Sequence, residues 1–382
     1  MTPEQRLELI KEVGEEIISE EELLALLKKK KHPVAYDGFE PSGNIHIAQG
    51  ILRAINVNKL TKAGIHFKFW VADWFALMNN KMGGDLEKIK IVGKYFIEVW
   101  KASGMDMKNV KFLWASDVMN DTDYWLKVIN IGRLNSVTRI TRCSQIMGRG
   151  DKDSLSAAQI FYPCMQCADI FHLKADITQL GMDQRKVNVL AREVAPKLGY
   201  KKPIVVSHHM LLGLSKPVDT KLIGVDRGIE LKMSKSKPDS CIFMTDSEEE
   251  IKRKFNKAYC PEKVVEDNPV LEYCKYIVFE KVDKLLIERP HKWGGNLENR
   301  TRIHKSIIEA IRDELGDDYP VIIKLGMEDS FERGLKFEDG KKLAKLICSY
   351  GYDAIEISQG LQDLNNFSKT PMRIGINKLE DE

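Results

Sequence analysis

Apolar and polar positions follow two alternating patterns along the chain. Short apolar runs predict five strands, at about residues 34–39, 65–72, 109–116, 175–180 and 203–211. Longer segments with an apolar residue every three or four positions lie between the strands and predict helices, as in 85–104 and 186–198. This alternation of strand and helix predicts an α/β fold with a parallel, Rossmann-like sheet.

Two regions of the first part of the chain depart from the alternation. Residues 2–31 are predicted to form two short helices, because Thr2 and Ser19 each begin a helix-capping sequence. The third and fourth strands are about 60 residues apart, which is too long for a single crossover helix. We therefore expect a helical insertion around 117–162.

The length of 382 residues fits two domains. Strand patterns thin out after residue 246, so the sequence predicts a first domain over 1–246 and a mainly helical second domain over 247–382. Hydrophobic residues make up 43% of the chain and charged residues 30%, which is typical of a folded globular protein and excludes a disordered one.

The charge and the cysteine content bear on the compartment in which the protein is found. The formal net charge of +3 neither requires nor excludes a polyanionic partner. No apolar run reaches the roughly 18 residues of a membrane span, and the acidic N-terminus lacks the apolar core of a signal peptide. Seven scattered cysteines argue for a reducing compartment. We expect a cytoplasmic protein without membrane contact.

The first motif with chemical meaning is the turn after the first strand. Ser42 to Gln49 link this strand to a helix that is predicted to begin near His46 or Ile47. At such a position, backbone N–H groups and a helix N-terminus can bind a phosphate chain. Gly43 allows the backbone to come close, and His46 can donate a hydrogen bond to a phosphate oxygen. Many folds contain such a turn, so the turn alone does not identify a function.

The second motif is a basic loop, LKMSKSKP, at 231–238. Its lysines at 232, 235 and 237 concentrate positive charge in a polar stretch that follows the last predicted strand. Such a loop suits a polyphosphate whose negative charge grows in a transition state. An ordinary solvated basic loop fits this composition equally well.

The third motif lies around Pro163, where a helix is predicted to begin. Tyr162, Gln166 and Asp169 lie on one face of that helix at about 100° per residue. The face could point to water, but the residues around it are apolar. A phenol, an amide and a carboxylate in so apolar a segment indicate the wall of a pocket.

The first two motifs together are much more specific. HIAQ at 46–49 and KMSKS at 232–236 resemble the paired signatures of class I aminoacyl-tRNA synthetases, with Ala48 and Gln49 in place of the family's Gly and second His. YPCMQCADI at 162–170 and LGMDQRKVNVLARE at 180–193 resemble tyrosyl-tRNA synthetases of the archaeal and eukaryotic type. The likeness covers about residues 5–300.

The resemblance implies an enzyme that activates L-tyrosine with ATP and Mg²⁺ and transfers it to tRNA(Tyr). It implies a homodimer without a protein-bound structural metal, in which 1–246 is the activating domain and 247–382 the anticodon-binding domain. Catalytic roles fall on His46, Lys232 and Lys235. Tyrosine-binding roles fall on Tyr36, Tyr162, Gln166, Asp169 and Gln184. ATP-binding roles fall on Gly43, His46, Gln49, Gly181, Asp183, Met210, Leu211, Lys232, Met233, Ser234, Lys235 and Ser236. Trp293 and Asp339 would contact the anticodon.

The chemistry of a phenol agrees with this assignment. A phenolic hydroxyl needs an acceptor, and a buried carboxylate such as Asp169 is a strong one. By the resemblance, Asp169 and Tyr36 bind this hydroxyl. Phenylalanine would leave both buried groups without a partner, which is unfavourable.

Other functions remain open at this point. A tryptophanyl-tRNA synthetase shares both signatures, and a catalytically silent tRNA-binding homologue fits the changes at Ala48 and Gln49. A small-molecule nucleotidylyltransferase shares the fold but needs neither the amino-acid pocket nor a second helical domain. Cys164 and Cys167 are predicted to be packing residues, because no second Cys/His pair completes a zinc site.

Overall fold

The computed structural model describes residues 1–144, 154–217, 224–285, 296–329 and 334–358. The chain divides into two compact units, Met1–Lys284 and Leu285–Glu382. In the described part of the chain, no helix is long and apolar enough to span a membrane.

The first unit is built on a six-stranded sheet. Its strands are β1 (Gly14–Ile18), β2 (Val34–Phe39), β3 (His66–Val71), β4 (Val110–Trp114), β5 (Ile177–Thr178) and β6 (Ile204–His208). They are ordered β1-β6-β5-β2-β3-β4, and every neighbouring pair is parallel except β1 with β6. The five predicted strands and the parallel, Rossmann-like sheet are therefore confirmed.

Strand β1 is absent from the sequence prediction, which placed only helices in 2–31. Those helices exist, as α1 (Pro3–Lys11) and α2 (Glu20–Lys29), with Thr2 and Ser19 as their N-caps. Between them the chain extends and pairs antiparallel with β6, where Ile17 and Ile18 lie opposite Val206 and Val205. Pairing with a distant strand stabilises this short segment, so local periodicity could not reveal it.

Helices cover both faces of the sheet. On one face, α3 (Ile51–Lys62) and α5 (Leu86–Ala102) pack with α1 and α2 over Ala35, Phe67 and Phe69. On the other face, Tyr36 and Trp70 pack against a layer of helices. That layer contains α4 (Asp73–Met78), α6 (Thr122–Arg133), α7 (Val137–Cys143), α8 (Ala157–His172) and α9 (Arg185–Val194). Successive residues of β2 and β3 thus serve opposite cores, as the strand period of two requires. Helices α6 and α7 lie in the predicted insertion.

The predicted boundary at 246/247 is wrong. The first unit continues to Lys284 and includes α10 (Gly224–Leu231), α11 (Glu248–Asn256) and α12 (Pro269–Tyr273). The physical reason is a third hydrophobic cluster, in which Tyr273 packs with Leu52 and Leu211. The Tyr273 hydroxyl also donates a hydrogen bond of 2.7 Å to the Leu212 carbonyl. Residues 247–284 are therefore part of the first unit's core.

The second unit contains a strand pair besides its helices. Helix α13 (Leu297–Leu315) is followed by β7 (Ile322–Gly326), α14 (Phe337–Cys348) and β8 (Ala354–Ser358), and the two strands pair in parallel. Leu325, Met327, Ala344 and Ile347 form its buried cluster. The sequence predicted helices here but not these strands.

Candidate active site at the carboxyl ends of the parallel strands

A cavity of about 600 Å³ opens at the carboxyl end of β2, beside the ends of β5 and β6. Ligands of open parallel α/β sheets bind at this edge. The predicted site residues that line the cavity are Tyr36, His46, Gln49, Tyr162, Gln166, Asp169, Gly181, Asp183, Gln184, Met210, Leu211, Lys232, Met233, Ser234, Lys235 and Ser236. The structure therefore brings residues from opposite ends of the unit into one site.

Two predicted residues of the described part of the chain do not line this cavity. Gly43 lies next to the lining residue Ser42, and its φ of +92° is a conformation that favours glycine. Asp339 belongs to the second unit, where it is exposed in the first turn of α14. Trp293 lies outside the described residues.

The predicted polar row lies in the middle of helix α8 rather than at its start. The helix begins at Ala157, six residues before Pro163, because Ser156 and Gln159 form a reciprocal capping box. The expectation that Pro163 opens the helix is therefore wrong. The earlier start places the three predicted residues well inside the helix, where Tyr162, Gln166 and Asp169 are all buried.

Asp169 is fully buried and has one oxygen in a well-formed hydrogen bond. The hydroxyl of Tyr124 donates to its Oδ1 at 2.8 Å, while Oδ2 has no well-formed hydrogen bond to any described residue. Burial raises the pKa of Asp169, and hydrogen bonding from Tyr124 and Tyr36 opposes that rise. A buried carboxylate oxygen that lacks a well-formed hydrogen bond and lies in a cavity wall can accept one from a ligand hydroxyl.

Tyr162 binds Glu40, a carboxylate that was not predicted from the sequence. Its hydroxyl donates to Glu40 Oε1 at 2.6 Å, and the Asn79 amide donates to the same oxygen at 2.6 Å. Burial raises the pKa of Glu40, and these hydrogen bonds lower it. Glu40 lines the cavity and can bind a cationic group there. Its position directly after strand β2 was the available signal in the sequence.

Two glutamines complete this end of the cavity. The Gln166 amide donates to Gln184 Oε1 at 3.1 Å, which orients both side chains. Gln166 Oε1 is buried and has no hydrogen-bond partner among the described residues. Gln166 therefore offers a free acceptor near the Tyr162–Glu40 hydrogen bond.

His46 lies in a turn, not at a helix N-terminus as predicted. Helix α3 begins at Ile51, because the N–H groups of Gln49 and Gly50 both donate to the His46 carbonyl and close a turn before it. His46 is also held in a short antiparallel bridge with Phe243. The backbone of the turn is thus fixed by a partner almost 200 residues away.

The electrostatic state of His46 is defined by its surroundings. Burial lowers its pKa to about 3, with smaller contributions from Lys235 and Lys232. The Gln49 N–H donates to Nδ1 at 3.4 Å, so the ring proton is on Nε2. His46 is therefore a neutral hydrogen-bond donor at physiological pH.

The two signature lysines are held by different partners. Lys232 Nζ lies 2.6 Å from Asp183 Oδ2, and Lys235 Nζ lies 3.2 Å from Ser42 Oγ. Burial lowers the pKa of Lys235 to about 8. A Cβ at position 181 would lie 2.7 Å from Asp183 Oδ1, so a side chain in place of Gly181 would force the Asp183 carboxylate to shift.

A buried ion pair forms the floor of the cavity and was also missed. Arg53 Nε lies 2.9 Å from Asp37 Oδ2, and Arg53 also binds Gln179. Burial raises the pKa of Asp37 to about 7, while Arg53 opposes the rise. An arginine within the apolar stretch of α3 was the sequence signal, because an unpaired charge there would be very unfavourable.

The adjacent residues His208 and His209 both line the cavity. His209 lies between Glu272, at 2.8 Å, and Glu15, at 3.2 Å. Hydrogen bonds to the two carboxylates outweigh burial and raise its pKa to about 9. Among the described residues, no group of three or more His, Cys, Asp or Glu side chains could hold a metal ion.

Comparison with known proteins agrees with this architecture. Residues 28–317 match the family described as tRNA synthetases class I (W and Y). The chain is 52% identical over 337 residues to tyrosine–tRNA ligase 1, cytoplasmic, of Arabidopsis thaliana, covering 87% of this chain and 83% of that one. It is 39% identical to the tyrosine–tRNA ligase of Picrophilus torridus, with coverage of 83% and 93%.

Solved structures give the same result. The tyrosyl-tRNA synthetase of Pyrococcus horikoshii, complexed with L-tyrosine, has a TM-score of 0.71 and 38% identity, covering 77% of this chain and 85% of that one. The Leishmania major enzyme in complex with tyrosinol has a TM-score of 0.67 and 52% identity, covering 74% of this chain and 43% of that longer one. The tryptophanyl-tRNA synthetase of Aeropyrum pernix, at 21% identity and a TM-score of 0.52, shares the fold alone.

The chain belongs to the class I aminoacyl-tRNA synthetases of the tryptophan and tyrosine family. Within that family its similarity is to the tyrosine–tRNA ligases of archaea and eukaryotes, which confirms the resemblance found in the sequence.

Proposed function

We propose that this site activates L-tyrosine with ATP and transfers the tyrosyl group to the 3′ end of tRNA(Tyr). The observation that carries the proposal is Asp169 Oδ2, which is fully buried and has no well-formed hydrogen bond to a described residue, in a wall of the cavity that the lysines of the KMSKS loop also line. A buried acceptor suits the phenolic hydroxyl of tyrosine, and the lysines suit a triphosphate.

The reaction has two steps that need no covalent enzyme intermediate and no protein general base. An oxygen of the tyrosine carboxylate attacks the α-phosphorus of ATP, forming tyrosyl-adenylate and releasing pyrophosphate. A terminal ribose hydroxyl of the tRNA then attacks the carbonyl carbon of the adenylate, and AMP leaves. Catalysis would come from orientation of the reactants and from charge placed against the phosphates.

The residues that would bind tyrosine fall into two groups, one for each end of the substrate. Asp169 and Tyr36 would bind the phenolic hydroxyl. Tyr162, Gln166 and Gln184 would hold the α-amino group, supported by the free Gln166 oxygen and by Glu40 beside Tyr162. Such an arrangement selects against phenylalanine, which cannot satisfy Asp169.

The nucleotide end of the site uses neutral and charged donors. His46, through Nε2–H, together with Lys232 and Lys235, would bind the phosphates, while Gln49 brings an amide without charge. Gly181 and Asp183 would face the ribose, and the backbone at 210–211 the adenine. Gly43 keeps the turn open to the phosphates.

Mg²⁺ enters this proposal as part of the nucleotide substrate. The described residues contain no cluster of three metal-ligating side chains. Each step of the proposed reaction is assigned to the substrates and to side chains of the site.

The second unit would bind the anticodon. Asp339 is exposed at the start of α14, where Lys342 approaches it at 3.2 Å, and the neighbouring Phe337 side chain is half exposed. An exposed aromatic ring next to an acceptor suits an unstacked base. Trp293 remains a sequence-based candidate for the same role.

A homodimer in the cytoplasm is the proposed state of the enzyme. Several large apolar side chains of the insertion and its neighbourhood are exposed, namely Leu126, Ile129, Leu134, Val137 and Phe161. An apolar patch of this kind is typical of a surface that associates with another subunit. Sedimentation velocity of the wild type and of Ile129→Asp tests this state, and a wild-type monomer would contradict it.

ATP–pyrophosphate exchange tests the activation step directly. It is run separately with tyrosine, tryptophan and phenylalanine. We expect exchange with tyrosine alone. Exchange with tryptophan would assign the site to the sister enzyme, and a folded protein that binds tRNA without any exchange would be the silent homologue.

A further inference from the structure

Tyr124 is a buried residue of the insertion that sequence reasoning did not single out. It lies near the start of helix α6, where Asp121 is the N-cap, and its side chain is fully buried. Its hydroxyl donates the 2.8 Å hydrogen bond to Asp169 Oδ1. Tyr124 does not line the cavity, whereas Asp169 does. The tyrosine therefore approaches the carboxylate from behind the cavity wall.

The ring of Tyr124 is held in place by its neighbours. Trp125 and His172 each contact it edge to face, with ring centroids 5.8 and 5.6 Å away. The same hydroxyl also lies 3.4 Å from the carbonyl oxygen of Met165, one turn before Asp169 on α8. A ring fixed on several sides presents its hydroxyl in one position, as a positioning group must.

We propose that Tyr124 is a positioning residue for tyrosine selection, because its hydroxyl holds one oxygen of Asp169 and leaves the other oxygen for the substrate phenol. The inference rests on the proposed activation of tyrosine. Tyr124 itself contacts no substrate in this arrangement and acts only through Asp169.

Charge explains why the carboxylate needs this support. Burial disfavours the ionised form of Asp169, and the hydrogen bond from Tyr124 favours it. The other titratable groups facing Asp169 are Tyr36 on β2 and, on its own helix, Tyr162 and Cys167. None of these is a cation, so hydroxyl donors alone support the negative charge among the described groups.

Loss of the Tyr124 hydroxyl has two consequences for the pocket. The carboxylate loses its fixed orientation, and its pKa rises further because one of two stabilising donors is gone. A protonated Asp169 would carry its own proton and compete with the phenol as a donor. Selection for tyrosine over phenylalanine then weakens.

Tyr124→Phe tests the proposal, since it removes only the hydroxyl. In ATP–pyrophosphate exchange we expect the KM for tyrosine to rise about 10- to 100-fold, the cost of losing a hydrogen bond to a charged group. The KM for ATP and kcat should change less than threefold. The preference for tyrosine over phenylalanine should fall by a similar factor as the KM rises.

The pH profile separates positioning from general damage. The KM for tyrosine should rise as the pH falls, and the rise should begin at a higher pH in Tyr124→Phe than in the wild type, because loss of the donor raises the pKa of Asp169. Tyr200→Phe is the matched control, since its ring stacks on Phe171 of the same helix at 4.6 Å and does not line the cavity. It should behave as the wild type.

Three results would overturn the proposal. One is an unchanged tyrosine KM and discrimination in Tyr124→Phe. Another is an equal loss for tyrosine and ATP, which would indicate structural damage. The third is the same change in Tyr200→Phe. Should Tyr124→Phe fold poorly, tyrosine-dependent protection from thermal unfolding is compared in the wild type and in Tyr124→Leu, which also lacks the hydroxyl and is smaller than the buried ring, and equal protection would also overturn the proposal. Wild-type protein that gives no exchange with tyrosine would instead refute the proposed function.

Discussion

The ammonium group of Lys235 lies 3.2 Å from the hydroxyl of Ser42, although the two residues are 193 positions apart in the chain. Backbone pairing supports this contact, since the Ile47 N–H donates to the Ile242 carbonyl and the Met244 N–H to the Ile45 carbonyl. The HIAQ turn and the KMSKS loop are thus joined just beyond the loop. The folding of the first unit therefore fixes the position of the HIAQ turn relative to the KMSKS loop.

Lys235 is expected to matter for the rate rather than for tyrosine binding. Lys235→Ala should lower the rate of tyrosine activation about 10²- to 10³-fold, because it removes a donor aimed at charge that develops on the phosphates. Tyrosine affinity should change little. Stopped-flow measurement of adenylate formation tests this, with Lys237→Ala as control, since that exposed lysine is in the same loop but does not line the cavity. Near-normal kinetics of Lys235→Ala would refute the role.

The pKa of Lys235 predicts a pH dependence. Burial lowers this pKa to about 8, so the ammonium loses its proton as the pH rises through 8. The kcat/KM for ATP reports the free enzyme and should therefore fall above pH 8. Lys235→Arg should shift this fall to much higher pH, because a guanidinium keeps its proton. A profile that is flat to pH 10 in the wild type would contradict the prediction.

Lys254 should be needed both for stability and for the site. Its side chain is 3% exposed, and its ammonium lies 2.6 Å from Asp246 Oδ2 and 2.8 Å from the Cys241 carbonyl. Lys254→Met would leave the half-buried Asp246 carboxylate without its cation and the Cys241 carbonyl without its donor, and should destabilise the first unit by about 3–5 kcal/mol. Urea unfolding measures this. Lys252→Met, on the exposed side of the same helix, should cost less than about 0.5 kcal/mol.

His209 predicts a stability that depends on pH. Its pKa is about 9 in the folded protein against 6.5 ordinarily, so its contribution is complete below pH 6.5 and is lost as the pH rises through 9. His209→Gln should destabilise the first unit by roughly 2–3 kcal/mol at pH 6 and by little at pH 10. Unfolding at both pH values tests this, with exposed His32→Gln as control. An equal loss at both pH values would argue against the ion pairs with Glu15 and Glu272.

The sequence predicted those parts of the site that depend on local periodicity or on a local motif. Tyr162, Gln166 and Asp169 share a helix face, so helical geometry alone placed them in one wall. The two signature segments were recognisable by their own residues. The parallel sheet followed from the alternation of apolar runs along the chain.

Features that depend on distant contacts could not be predicted. Tyr124 reaches Asp169 from another helix, and nothing near it in the sequence marks this contact. The helix start after His46 moved to Ile51 because pairing with residues 242–244 fixes the preceding turn. Strand β1 is likewise held by its pairing with β6. In each case a distant partner outweighed the local preference.

The ion pair between Lys232 and Asp183 has a consequence for which anions the site admits. In the arrangement described, the 2.6 Å contact neutralises Lys232, so a small anion such as inorganic phosphate must break the pair and leave the carboxylate without compensation. A nucleotide differs, because it can give Lys232 a phosphate and Asp183 a ribose hydroxyl in the same binding event. With the proposed roles of Lys232 and Asp183, the pair would favour ligands that carry both a phosphate and a ribose hydroxyl over inorganic phosphate.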